Sequence, residues 1–292
     1  MDSKKQTNSI FSYGAYILSL LIFGTNGLYV SNITLSSSQI VLMRTLIGGT
    51  LLTCLVLFKG GFDRVNVHEE RKALILGGAA LGLNWVALFG AYKILNVSLA
   101  TLIYYVGPIL VLLLSPVLFH EKLSGGKILS AAVVAVGLIC ISGSIVVSGM
   151  NPLGLIVAML SALFYAALII FNKKIIRTTG LQTAAIELDV AFAVVLAYTL
   201  CTEGLPRIIA DDLPYIAGIG FINTGLAYLL YFTGLQKLSG QSVALISYID
   251  PVSALLFSAI LLHEAMSPLQ MLGAVLIIGG AMFGEMKLQR KP

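Results

Sequence analysis

The chain has 292 residues, of which 58% are apolar and only 11% are charged, and its mean hydropathy is +0.96. Soluble domains carry about 25% charged residues, so this composition excludes a water-soluble globular protein and favours one that is surrounded by lipid. The net charge is +5, but the basic residues are spread over short loops, which argues against a nucleic-acid partner.

Ten apolar runs follow one another, each near the roughly 20 residues that a membrane-spanning helix needs. They cover 12–34, 37–58, 73–93, 98–119, 126–148, 153–173, 182–202, 213–235, 241–262 and 268–286. Helix is the expected state, because the runs lack the alternation of apolar and polar residues that a transmembrane barrel shows. The sequence therefore predicts an all-α membrane protein with ten transmembrane helices.

A segment of the first half recurs in the second half at a distance of 143 residues. Between Leu95 and Gly137 this shift gives 15 identities in 43 positions. The matched positions include a proline and a His-Glu pair in each half, namely Pro108, His120 and Glu121 and then Pro251, His263 and Glu264. The repeat predicts two related halves, 1–148 and 149–292.

Lysine and arginine are distributed unevenly between the two sides of the predicted bundle. If the N-terminus is cytoplasmic, 15 of the 18 basic residues lie inside, Lys93 and Arg207 lie outside, and Arg44 lies in the membrane. Because basic residues concentrate in cytoplasmic loops, both termini are expected inside the cell. Five helices is an odd number, so the second half enters from the opposite side and the two five-helix repeats are predicted to be inverted.

Three stretches of the second half together resemble the end of an EamA domain. They are Leu245 to Pro251, Leu261 to Glu264 and Gly273 to Gly280. A weaker copy runs from Tyr105 to Ser124, and Arg44 matches the arginine that this family usually has in the second helix. The family commonly has glutamate before the second proline, where this chain has Asp250.

The resemblance covers the whole chain as two tandem domains and implies membership of the drug/metabolite transporter superfamily. It implies ten helices in an inverted five-plus-five topology around a central cavity. Members of the family export or import amino acids, other small metabolites and drugs. The expected location is the cell membrane, which the chain crosses several times.

Four ionisable residues lie inside predicted helices, where a charge is costly and suggests a function: Arg44, Glu187, Asp189 and Asp250. Asp250 directly precedes Pro251, whose ring frees backbone carbonyls near the middle of the ninth helix. Asp250 is expected to bind a coupling proton or a substrate amine, with a structural anchor as the alternative. Arg44 and Glu187 are repeat equivalents, and an interhelical charge clamp is the alternative to a functional role.

Two further carboxylates are expected to be structural. Asp189 should pair with Lys173 or Lys174 at the membrane edge. Glu121 ends its helix, where the helix dipole disfavours a negative charge, and the start of the next helix beyond Ser124 is expected to offset this cost.

Uncharged polar and aromatic residues lie well inside the runs, away from the membrane edges where an aromatic belt belongs. They are Asn26, Asn84, Trp85, Tyr104, Tyr105, Tyr165, Asn223, Tyr228 and Tyr248. Together they would suit a cavity for a small, partly apolar solute, although core packing explains each one singly. Pro108 and Pro251 are expected to let the fourth and ninth helices bend.

The sequence predicts a secondary active transporter of small organic metabolites that works by alternating access, with protons as the candidate coupling ion and without cofactor or metal. Export of amino acids or related amphiphiles is the leading interpretation. A facilitative, channel-like uniporter and an intramembrane enzyme are the alternatives, but the chain has no HExxH, GxSxG or Walker motif. GxxxG spacing at Gly280 and Gly284 allows close helix packing or dimerisation, so monomer and homodimer both remain open.

Overall fold

The computed structural model describes residues 2–95, 97–141, 151–261 and 266–289, which form helices and short connections without any strand. The helices are α1 (Asp2–Gly24), α2 (Asn26–Val30), α3 (Ser37–Phe58), α4 (Arg64–Tyr92), α5 (Val97–Tyr104), α6 (Val106–Phe119), α7 (Gly125–Ile141), α8 (Pro152–Asn172), α9 (Gly180–Thr202), α10 (Leu213–Gly220), α11 (Ala227–Leu235), α12 (Gly240–Ile246), α13 (Ile249–Leu261) and α14 (Pro268–Gln289). A 3₁₀ turn, Ala210–Asp212, precedes α10, and a π-helical turn, Phe221–Leu226, joins α10 to α11.

Nine stretches of the described chain are long and apolar enough to cross a membrane. They are Ile10–Val30, Ser37–Phe58, Arg64–Tyr92, Leu99–Phe119, Pro152–Asn172, Gly180–Thr202, Ala210–Leu235, Gly240–Leu261 and Pro268–Glu285. The apolar helix α7 has 17 residues, and the end of its predicted run falls in 142–150, outside the described residues. His263 and Glu264 also lie outside them. The prediction of an all-α, multi-pass membrane protein is confirmed.

The third predicted helix begins earlier than the sequence analysis indicated, which placed its start at residue 73. It begins at Arg64, because Asp63 caps it: its Oδ1 accepts hydrogen bonds from the backbone N–H groups of Val65 (3.2 Å) and Asn66 (3.1 Å). Residues 64–72, most of the polar stretch 59–72 after α3, are therefore helical.

Two predicted helices are each divided into two segments. The fourth breaks at Tyr105, between α5 and α6, and the ninth breaks at Ser247 and Tyr248, between α12 and α13. Pro108 and Pro251 then fall in the first turn of the second segment, where a missing backbone N–H costs nothing. The breaks thus lie three residues or so ahead of the prolines that predicted them.

Helix contacts recur between corresponding parts of the two halves. α1 of the first half packs against α11 of the second, and the corresponding helices with the halves exchanged, α8 and α4, pack together in the same way. The last helices of the two halves, α7 and α14, also pack together. Gly137 closely approaches the backbone oxygen of Gly273, and Gly280 approaches that of Ser130, which is the same contact with the halves exchanged. Gly280 and Gly284 both face Ser130 of α7, so the GxxxG spacing serves packing within the chain.

Candidate functional site

Asp250 lies in the first turn of α13, directly after the break in the ninth predicted helix. Its Oδ2 accepts a 3.2 Å hydrogen bond from the hydroxyl of Tyr105, which stands at the equivalent break between α5 and α6. The amino end of a helix favours a negative charge, and the side chain keeps partial exposure. The two broken helices therefore hold one accessible carboxylate between them.

Aromatic rings surround this carboxylate. The ring of Tyr104 lies 5.1 Å from that of Tyr105 and 5.1 Å from that of Tyr165, centroid to centroid. Further along, Trp85 and Tyr228 make an edge-to-face contact at 5.8 Å. Such rings supply apolar walls with hydroxyl groups at fixed places, which suits a partly apolar solute.

Arg44 contributes a buried cation to the same region. Its Nε donates to Thr224 Oγ1 at 2.8 Å and its Nη2 donates to the Asn223 carbonyl oxygen at 3.1 Å. Both acceptors belong to the π-helical turn, a feature that often marks functional sites because it displaces backbone carbonyls from the helical ladder. The guanidinium lies 5.6 Å from the centre of the Trp85 ring. Among the described residues, Nη1 has no hydrogen-bond partner.

Arg44 and Asp250 interact electrostatically, but no ion pair within 4 Å joins them among the described side chains. Two opposite charges therefore remain in one aromatic-walled region, each with capacity for a further partner. Charged side chains inside a membrane are costly in free energy, which makes this region the candidate site.

Glu187 lies at a different interface from its repeat equivalent Arg44. It is fully buried, and Asn172 of α8 donates to its two carboxylate oxygens at 2.9 and 3.0 Å. Its side chain faces Gly77 of α4 and its backbone faces Gly78, so a larger residue at either glycine would collide with Glu187. Arg44 and Glu187 form no ion pair among the described side chains, and each residue contacts a different set of helices.

Three of the predicted cavity residues are buried in contacts between helices. Asn84 donates to the Ser161 carbonyl oxygen at 2.8 Å, and Asn223 donates to that of Ile22 at 2.7 Å. Tyr248, with 1% of its surface exposed, donates to the Tyr105 carbonyl oxygen. These contacts join α4 to α8, the π turn to α1, and the α12–α13 break to the α5–α6 break.

Among the described residues Asn26, like Asn84 and Asn223, has no hydrogen bond to Asp250. It begins the short helix α2, and its Oδ1 atom is buried without a hydrogen-bond partner among the described residues.

Sequence analysis missed three residues of this region: Tyr16, Tyr231 and Ser247. The Ser247 hydroxyl is 2.8 Å from that of Tyr16 and receives a bond from that of Tyr165 at 3.1 Å. Tyr231 follows Tyr228 by three residues, a spacing that puts both on one helix face and could have revealed it. No comparable pattern marks Tyr16.

Two contacts at the membrane edge differ from the prediction. Asp189 accepts a 2.7 Å bond from the Thr53 hydroxyl of α3 rather than pairing with a lysine. Glu121 binds the backbone N–H groups of Gly240 (2.7 Å) and Gln241 (3.0 Å), at the start of α12. Glu121 reaches these groups because α6 packs on α12, so that the end of one broken helix lies beside the beginning of the other.

At the other end of the bundle Glu203 joins α3, α4 and α9. Its carboxylate binds Lys93 at 2.5 Å and also accepts hydrogen bonds from the hydroxyl groups of Ser36 and Ser38. Partial burial opposes ionisation, but these donors outweigh it and lower the pKa of Glu203 to about 2. Glu121 and Glu203 thus close opposite ends of the bundle.

Comparisons with known proteins agree with this architecture. A model of the EamA-like transporter family matches residues 10–143 and 152–284. The uncharacterized transporter YxxF of Bacillus subtilis is 26% identical over 302 residues, covering 100% of this chain and 94% of that protein. A probable amino-acid metabolite efflux pump of Escherichia coli is 27% identical over 63% of this chain and 65% of its own. A solved crystal structure has the same fold, with a TM-score of 0.84, 19% identity and 98% of both chains covered.

Proposed function

This chain belongs to the EamA-like transporter family, and we propose that it exports amino acids or related amphiphilic metabolites as a secondary active transporter. At the coarser level it is a multi-pass membrane protein and a transporter of small metabolites, in the cell membrane that is typical of this family. The family is a class of transporters rather than of enzymes.

One observation carries the proposal. Asp250 and Arg44 have opposite charges and lie in the same aromatic-walled region, but they form no direct ion pair among the described residues. An amino acid presents an ammonium group, a carboxylate and a side chain. Asp250 can accept the ammonium, and the unused Nη1 of Arg44 can donate to the carboxylate, since a guanidinium suits carboxylate oxygens. The rings of Tyr104, Tyr165 and Trp85 would contact the side chain. The name of the Escherichia coli relative supports the same substrate class.

We infer ten transmembrane helices arranged as two inverted repeats, 1–148 and 149–292, with both termini cytoplasmic. The two matches of the family model and the exchanged contacts of α7 with α14 support this division. Tyr13 near the start of the chain donates a 3.2 Å bond to Glu285 near its end. This bond supports placing both ends at one face, here named the terminal face, and an even number of crossings.

Alternating access in this scheme depends on the two broken helices. Pro108 and Pro251 let α5–α6 and α12–α13 bend, Glu121 closes the terminal face, and Glu203 closes the opposite face. Release of one closure while the other holds would expose Asp250 to one side at a time. A proton on Asp250 is the proposed coupling ion, exchanging with the substrate ammonium for the same carboxylate.

Counterflow in proteoliposomes tests the proposal. Labelled amino acids would be screened with and without a pH gradient for the natural chain, Asp250→Asn and Arg44→Gln. Asp189→Asn is the matched control, because this carboxylate also lies in a helix but bonds to Thr53. We expect Asp250→Asn and Arg44→Gln to lose gradient-driven flux and Asp189→Asn to keep it. Flux that ignores the gradient and survives Asp250→Asn would contradict proton coupling and indicate a facilitative uniporter.

A further inference from the structure

A cavity of about 250 Å³ lies between α1, the α12–α13 segment and α14. Ile17, Ile246, Ile277 and Met282 are among its apolar walls, and Tyr13 and Glu285 are its polar members. Asp250, Arg44 and the rings around them do not line it. This cavity, here named the lateral groove, is therefore distinct from the proposed transport site.

Glu285 lies in the lateral groove, and only one of its two carboxylate oxygens accepts a hydrogen bond from the described residues. Its Oε2 accepts the hydrogen bond from Tyr13, whereas its Oε1 is buried and has no hydrogen-bond partner among the described residues. The hydroxyl of Ser242 and the charge of Lys127 also stabilise this carboxylate, whereas the charge of Glu121 opposes it. A buried carboxylate oxygen without a donor is costly, and an ammonium group in the groove would satisfy it.

The groove opens toward the side of the bundle rather than toward its ends. Ile278 and Met282, on its rim, have 43% and 59% of their surface exposed on the lipid-facing side of α14. Glu285 lies 17 residues after Pro268, the first residue of α14, which at 1.5 Å per residue is about 25 Å along the helix, so the acidic end lies near the depth of a membrane interface. A ligand would enter from the bilayer with its charged group near the terminal face and its apolar part deeper.

We propose that the lateral groove binds an amphiphilic monocation, with a primary ammonium on Glu285 and a compact apolar body against Ile17, Ile246 and Ile277. One acidic group at the end of an otherwise apolar cavity is complementary to one positive charge and to little else. A dry cavity of about 150 Å³ accommodates benzene, so this one suits roughly ten to twelve non-hydrogen atoms. Binding here is independent of the transport function proposed above.

Photolabelling of the full chain in lipid nanodiscs tests this assignment. The probe is a phenylethylammonium that carries a diazirine, compared with the alcohol of the same shape. The ammonium probe is expected to label peptides of α1 and α14. Glu285→Gln should reduce its labelling at least tenfold and leave labelling by the alcohol within twofold, while Glu69→Gln, which changes an exposed carboxylate, should alter neither.

Met282→Trp provides a second variant, since this exposed side chain can enlarge and fill the groove without disturbing the core. It should reduce labelling by both probes at least fivefold. Equal labelling of the natural chain and Glu285→Gln by the ammonium probe, adducts confined to other helices, or a co-purified phospholipid that the probe does not displace would each overturn the proposal.

Discussion

The hydroxyl group of Tyr248 donates a 2.8 Å hydrogen bond to the backbone carbonyl oxygen of Tyr105, the residue at the same position of the other repeat. A residue that contacts its own counterpart lies close to the axis that relates two halves. The hydroxyl of Tyr105 bonds instead to Asp250. Two equivalent tyrosines therefore have different tasks, one in packing and one at the site.

Tyr248→Phe should reduce stability, whereas Tyr105→Phe should mainly reduce transport. Loss of the Tyr248 hydroxyl leaves the Tyr105 carbonyl buried without its donor, at a cost of about 1 to 3 kcal/mol. Loss of the Tyr105 hydroxyl frees one oxygen of a partly exposed carboxylate. Thermal unfolding and counterflow on the same preparations distinguish the two effects. Tyr215→Phe, at an exposed position, is the control; the reverse ranking of the two variants would show that the assigned roles are wrong.

Glu203→Gln should lower the melting temperature most at pH 7, about half as much near pH 3, and little near pH 2. The pKa of Glu203 lies at about 2, below the roughly 4.3 of an unfolded glutamate. Its contribution to stability is thus fully present above the unfolded value and is lost as the pH falls toward 2. Differential scanning fluorimetry at several pH values measures this. A destabilisation that is the same at pH 3 and pH 7 would mean that charge is not the cause.

Glu121→Gln should open the terminal face more often. The carboxylate makes charge-assisted bonds to the backbone N–H groups of Gly240 and Gln241, and a neutral amide can accept only weaker ones. A cysteine placed at Ser115, beside Gln241, should then react faster with a water-soluble maleimide in a background without native cysteines. Glu69→Gln is the control at the same face. Unchanged reactivity would remove Glu121 from the closure.

Gly137→Ala and Gly14→Ala should change stability in opposite directions. An added methyl group at Gly137 would meet the backbone oxygen of Gly273 at 2.8 Å, which cannot move without separating α7 from α14. The same group at Gly14 meets nothing within 4 Å, and alanine in a helix interior is worth about 0.5 to 1 kcal/mol over glycine. Melting temperatures of the two variants measure the difference. Equal stabilisation of both would indicate that the α7–α14 contact is loose.

Hydropathy was sufficient to predict the class of fold, because a run of about 20 apolar residues has few alternatives in a bilayer. The proline positions likewise indicated where the fourth and ninth helices break. Helix ends that depend on caps were less predictable: the side chain of Asp63 extends α4 into a polar stretch that hydropathy alone assigns to a loop.

Partners across the bundle were the least predictable part of the site. The spacing of residues along one helix does not indicate which other helix packs against it. Glu121 was therefore assigned to the nearest helix start in the sequence, whereas it binds Gly240. Asp250 and Arg44 were selected because buried charge is rare in membranes, and that criterion needs no partner. Tyr16 offered no such signal, since a single tyrosine in an apolar helix is ordinary.

Asp250 occupies the position that Gly107 holds in the first half, and Gly107 packs closely on Tyr165 where no side chain would fit. The two copies of a duplicated chain can therefore differ in role. The first copy keeps the small residue that helix packing requires, and the second copy can acquire a charged group at the same position. Selection on substrate preference would then act mainly on the second copy. Laboratory evolution toward new substrates should accumulate its substitutions unevenly between the halves, although both enclose the same space.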